Sequence, residues 1–220
     1  MTATARAIIV LLSALLAASC APAAAPSDEN PLRPGLRVTL KAFGNIYAAE
    51  VSEVHGGYST WNLKWEGRVV TVYKVYRGIF PIFGREGESF YHNQVDVSLP
   101  DPLFPLEVGK EVSLEGLFES SKTEGRAPLW VQVVVQGEAE ISIKGRKIPV
   151  FLIEVSIERQ GETGSHWESR TLWYSQELGF SLKTEYQRGG ERFTVRVLSV
   201  DVPGDQSGPP TRRNLGTVMI

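Results

Sequence analysis

Three histidines, His55, His92 and His166, are the side chains best suited to bind a metal or move a proton near neutral pH, and they lie far apart in the chain. None stands at the short spacing that makes a metal site legible, so exposed histidines near turns are the expectation. Two carboxylate pairs come next: Glu138 with Glu140, and Glu154 with Glu158, each of which would project from one face of a strand. Paired carboxylates can hydrolyse a glycosidic bond. The same spacing is also what the wet side of an antiparallel sheet displays, and Glu154 and Glu158 interleave with Phe151, Ile153, Val155 and Ile157 as the polar half of that alternation. No nucleophile elbow, zinc-protease helix motif, P-loop or dinucleotide fingerprint occurs. The expectation is a non-enzymatic chain with no metal and no cofactor.

The single cysteine, Cys20, has a distinctive setting. Arg6 and the amino terminus supply positive charge, Ala7 to Ala18 form an apolar stretch of signal-peptide length, and Leu15-Leu16-Ala17-Ala18-Ser19 lead into Cys20. This LLAASC segment resembles the bacterial lipobox, with Ala17 at the position where Leu is usual. The resemblance implies cleavage before Cys20, a diacylglycerol on its sulfur and a further acyl group such as palmitate on its new amino terminus. One acyl chain anchors reversibly at about 0.8 kcal/mol per buried methylene, whereas two or three hold permanently. A second reading treats Cys20 as incidental to an ordinary cleavable signal, with Ala21, Ala23 and Ala25 offering small-residue cleavage sites. Ala21, standing where an Asp would retain the chain in the inner membrane, implies by the same resemblance an outer-membrane lipoprotein facing the periplasm.

The chain divides accordingly into a signal peptide at 1–19, an Ala/Pro-rich tether at 20–34, one domain at 35–203 and a tail at 204–220 rich in Gly and Pro. Lys plus Arg total 23 against 25 for Asp plus Glu, a net charge of -2, which leaves no broad basic field for nucleic acid. With one cysteine, no disulfide can form within the chain, and a body of about 170 residues needs none.

Through the body the dominant signal is alternation of apolar and polar residues with period two. It runs through Trp61, Leu63 and Trp65, through Val112 and Leu114, through Phe151 to Ile157, and through Phe193, Val195 and Val197. Val69 to Tyr76 and Leu129 to Val135 are more continuously apolar, which predicts strands covered on both faces. Turn signals at His55-Gly56-Gly57, Glu66-Gly67, Lys144-Gly145, Gln160-Gly161 and Gly189-Gly190 join neighbouring strands as antiparallel hairpins. The fold class is therefore all-β: an antiparallel β-sandwich or strongly curved half-barrel of about ten to twelve strands. A short helical turn is expected near Asp101 to Leu106, interrupted by Pro102 and Pro105.

Two segments are candidate binding surfaces. In YKVYRGIFPIFG, Tyr73 to Gly84, the residues Phe80 and Phe83 straddle Pro81 and form either a loop folded back as core or an exposed apolar patch. In LWYSQELGFSLKTEY, Leu172 to Tyr186, Trp173 and Tyr174 are neighbours in a strand and must face opposite sides, one into the core and one onto a surface or cavity. This segment resembles the C-terminal signature of uncharacterised bacterial exported β-domain lipoproteins, in which a strand ending in Trp-Tyr turns through Glu-Leu-Gly. The segment LFPLEVGKEVSLEG, Leu103 to Gly116, resembles a companion element of the same proteins. The resemblance implies an all-β fold and an envelope location, and supplies no catalytic residues. Three functions compete: an envelope binding module for a protein or cell-wall partner, a half-barrel carrier of an apolar ligand or lipoprotein, and a hydrolase using a carboxylate pair.

Overall fold

A computed structural model describes residues 31–96, 101–122, 125–161 and 164–203. Cys20, the signal peptide and the tail from residue 204 onward lie outside the described residues. Twelve strands follow one another: β1 (Arg37–Ala42), β2 (Asn45–His55), β3 (Tyr58–Trp65), β4 (Arg68–Tyr76), β5 (Phe80–Glu86), β6 (Ser89–Val95), β7 (Glu111–Ser120), β8 (Arg126–Ile143), β9 (Arg146–Gly161), β10 (Gly164–Ser175), β11 (Phe180–Arg188) and β12 (Glu191–Asp201). Each pairs antiparallel with its chain neighbour, and β1 pairs with β12, so the sheet curls beyond a half-barrel and closes. Closure leaves none of these strands as an unpaired edge. The expected helical turn is a single 3-10 turn at Asp101–Leu103.

Tight hairpins make this meander possible. At Lys144-Gly145 the φ angles are 48° and 83°, and at Glu66-Gly67 they are 48° and 79°, the left-handed pair that twists a two-residue turn in register with its strands. In an up-and-down barrel successive turns alternate between the two ends. One end therefore carries the β1–β2, β3–β4, β5–β6, β7–β8, β9–β10 and β11–β12 turns, and the other carries the remaining turns with the start of β1 and the end of β12.

The second end is sealed. Gly78, in the β4–β5 turn, and Gly179, in the β10–β11 turn, come from opposite sides of the ring, yet a Cβ on Gly78 would lie 2.1 Å from the Gly179 carbonyl oxygen. Pro31 and Leu32 press on Gly179 from the N-terminal side, and Leu32 is 2% exposed. The packed body thus takes in Pro31 and Leu32. Residues 101–106, ahead of β7, complete the seal, with Leu103 and Leu106 buried and Tyr76 Oη donating to Asp101 Oδ1 at 2.7 Å.

The pinch divides the interior into two apolar clusters. One gathers Phe80, Leu103, Leu114, Val133, Ile153, Val155 and Tyr174; the other gathers Leu32, Val38, Val51, Trp61, Ile148, Val150, Leu182 and Val197. The long β8–β9 hairpin serves both. Its register shifts between Val135 and Gly137, and the buried positions of β9 change from odd (Ile153, Val155, Ile157) to even (Ile148, Val150) opposite that bulge.

One expectation fails here. Leu129 to Val135 is not covered on both faces: Leu129, Val131 and Val133 are buried while Trp130 is 38% exposed. A closed single-layer barrel has no outer layer, so this apolar run alternates between buried and exposed positions. The exterior carries ion pairs such as Glu50 with Lys64 at 2.7 Å and with Arg37 at 3.3 Å, the reverse of a barrel whose outer band faces lipid.

Gly78→Ala is expected to lower stability by clearly more than Gly44→Ala. Both replace a positive-φ glycine, at about 1 kcal/mol or more, but only Gly78 also meets the opposite turn, while nothing lies near Gly44. Urea unfolding midpoints of the two variants measure the difference.

Candidate functional site

The inward-facing rows of the barrel stay apolar until they approach the open end, where they turn charged. On β9 the row Ile153, Val155, Ile157 continues into Arg159; on β10 the row Tyr174, Leu172 continues into Arg170 and Glu168; on β11 Leu182 leads through Thr184 and Tyr186 to Arg188. Of these, Arg159, Glu168, Arg170 and Arg188 line a basin of about 790 Å³ together with Gly84, Arg85, Phe90, Tyr91, Phe118, Lys122, Arg126 and His166. Six cationic side chains line it against two carboxylates, Glu86 and Glu168.

At its floor, Glu168 is shared by two guanidinium groups. Arg170 donates Nε to Glu168 Oε1 and also approaches that oxygen through Nη2, while Arg159 donates Nη1 to Oε2 at 3.4 Å. The Glu168 side chain is only 6% exposed. Burial pushes its carboxyl pKa up, but the charges of Arg170 and Arg159 outweigh that and hold it below the ordinary carboxylate value. Burial likewise lowers the Arg159 pKa, opposed by the same carboxylate.

Aromatic rings fix both guanidinium groups. Arg159 lies over Phe118 at 4.7 Å from the ring centroid, and Arg170 lies over Tyr186 at 5.1 Å. Tyr186 stacks on Phe193 at 4.5 Å, and Phe193 meets Phe43 at 4.7 Å, a file of rings running from the floor to the β1–β2 turn. Gly84 lets Tyr91 fold inward, since a Cβ there would lie 2.2 Å from the Tyr91 ring. Phe43, Trp65, Val69 and Trp167 are exposed on hairpins of this same end.

The sequence-derived candidates fall elsewhere. Phe80, 2% exposed, and Tyr174, 4% exposed, belong to the first apolar cluster and offer no surface. Phe83 and Trp173 face the other way and are half-buried, Phe83 edge-on to His92 at 6.4 Å and Trp173 beneath Lys183 Nζ at 3.9 Å. The carboxylate pairs lie outside the basin: Glu140 pairs with Lys147 at 3.1 Å, and Glu154 accepts from Gln136 Nε2 at 2.9 Å. His92 is half-buried within β6, while exposed His166 reaches the basin wall. No group of three metal-ligating side chains occurs among the described residues. Arg159, Glu168 and Arg170 were overlooked by motif reasoning, yet each is a charged residue standing in phase with an apolar row.

No protein-family model matches the chain, and no curated protein matches it. Among solved structures, the hypothetical lipoprotein YmcC from Escherichia coli is similar to it with a TM-score of 0.52 at 14% identity, over 76% of this chain and 87% of that one. A Bacteroides fragilis protein with a YmcC-like fold is similar with a TM-score of 0.45 at 10% identity, over 78% of this chain and 98% of that one. The likeness to YmcC shows the fold: the chain shares the all-β architecture of an uncharacterised lipoprotein.

Glu168→Gln is expected to destabilise the barrel by about 3–5 kcal/mol, because it leaves Arg159 and Arg170 side by side without their shared counter-charge. A depressed folded-state pKa contributes stability that is full above the ordinary carboxylate range and is lost as pH falls through the folded value. The gap between wild type and variant in thermal unfolding should therefore narrow on acidification below about pH 4.

Proposed function

We propose that this chain is a lipid-anchored protein of the bacterial cell envelope whose barrel acts as a non-enzymatic binding module, with the basin as its binding site. The observation that carries this reading is polarity along the barrel axis: Pro31 and Leu32 join the sealed end, while the basin opens at the other. With Cys20 acylated, about eleven residues connect the bilayer to Pro31 and span at most roughly 40 Å. The sealed end then faces the membrane and the basin faces away from it, toward whatever the periplasm presents. The lipobox-like LLAASC segment supports the anchor, and Ala21 favours the outer membrane.

An apolar carrier is disfavoured because the two apolar clusters are packed and the one roomy basin has a charged floor of Arg159, Glu168 and Arg170. Hydrolysis is disfavoured because Glu168, the buried acid of the basin, is held ionised by two arginines and is a poor proton donor near neutral pH.

In a bacterial host, globomycin is expected to accumulate uncleaved precursor, and Cys20→Ala to abolish incorporation of labelled fatty acid and its processing before residue 20. Unchanged processing in both cases refutes the anchor.

A further inference from the structure

We infer that the basin binds a small organic oxyanion, a molecule carrying a carboxylate or phosphate group on a body larger than the anionic group itself. This rests on the reading of the basin as the binding site and names what that site accepts.

The floor sets the sign. Two guanidinium groups share one carboxylate, so the Arg159, Glu168 and Arg170 cluster keeps a surplus positive charge inside the barrel mouth. The Nε of Arg159 is buried and has no hydrogen-bond partner among the described residues, an unmet donor on a side chain that is only 11% exposed. Exposed Arg188 adds charge on the wall, within electrostatic reach of Glu168, and exposed Arg85 adds more at the rim. With one floor carboxylate between two buried arginines and further cations at the mouth, the concave site carries a positive potential that a bound anion offsets.

The shape of the donors then narrows the class. Guanidinium groups present a planar fork that fits the paired oxygens of carboxylate or phosphate; Glu168 takes Nε and Nη2 of Arg170, while Arg159 gives it Nη1 alone and lies fixed over Phe118. Pre-ordering of this kind reduces the entropy lost when a ligand is gripped. A volume of about 790 Å³ lies within the range of small-molecule sites and far exceeds the need of a bare ion. Tyr91, folded inward over Gly84, supplies a ring for the remainder of the ligand. An apolar or cationic ligand would leave the floor uncompensated.

The test uses the mature full-length protein in detergent micelles, titrated calorimetrically with inorganic phosphate, citrate, glucose 6-phosphate and uncharged glucose. Expected is saturable binding of citrate or glucose 6-phosphate, stronger than of phosphate, weakened by salt and absent for glucose. The double variant Arg85→Ala/Arg188→Ala, altered only at exposed positions, should lose at least tenfold in affinity, whereas Arg146→Ala at the sealed end should lose nothing. Arg159→Lys, which keeps the charge and removes the fork, should weaken binding while the protein stays folded by circular dichroism. Failure of every anion to bind, or equal affinity in wild type and double variant, overturns the inference. Native mass spectrometry of protein extracted from membranes separates the two levels: a neutral molecule retained by wild type and lost on filling the basin with Ala127→Trp overturns the oxyanion class while leaving the basin as a binding site.

Discussion

A ring of twelve strands is too wide to be filled by its own side chains if it stays round. Eight strands already give an interior that side chains just fill. This barrel meets the constraint by flattening at one end until the β4–β5 and β10–β11 turns touch through Gly78 and Gly179, where no side chain could be accommodated. Much else follows from that contact. The interior splits into two apolar clusters, the sealed end takes in Pro31, Leu32 and the Leu103 to Leu106 segment, and unfilled space gathers at the opposite end.

The open end has a different physical logic. Inward rows that are apolar in the middle of the barrel end in Arg159, in Arg170 with Glu168, and in Arg188. A buried pair of arginines around one carboxylate is a poor way to gain stability, because desolvation of the ions consumes most of their attraction. Its structural gain is definition: guanidinium planes lie fixed on Phe118 and Tyr186, and the ring file Tyr186, Phe193, Phe43 supports that wall to the rim. Chemistry and orientation agree, since the preformed polar surface lies at the end away from where the N-terminal segment joins the barrel.

The likeness to YmcC concerns architecture at 14% identity, a level at which the alternation of inward and outward positions can persist while side-chain identities drift. Fold and proposed function therefore rest on different observations here, the first on the closed meander and the second on the side chains that line the basin.

The one-dimensional pattern determined the all-β class, the hairpin turns at Glu66-Gly67 and Lys144-Gly145, and the buried face of Ile153, Val155 and Ile157, because strand period and positive-φ turns are local properties of the chain. It also marked LLAASC as the place where an anchor would sit. Closure was not legible, since pairing of β1 with β12 joins residues some 160 apart in the chain. Neither was the site. Arg159 reads as one more polar residue at the end of a strand until tertiary structure places it, in phase with Ile157, beside Glu168 and Arg170 from the neighbouring strand and over Phe118 from β7. Phe80 and Tyr174 were ambiguous for the same reason: alternation says that a side chain faces one side of a sheet, and only the packed barrel decides which side is dry.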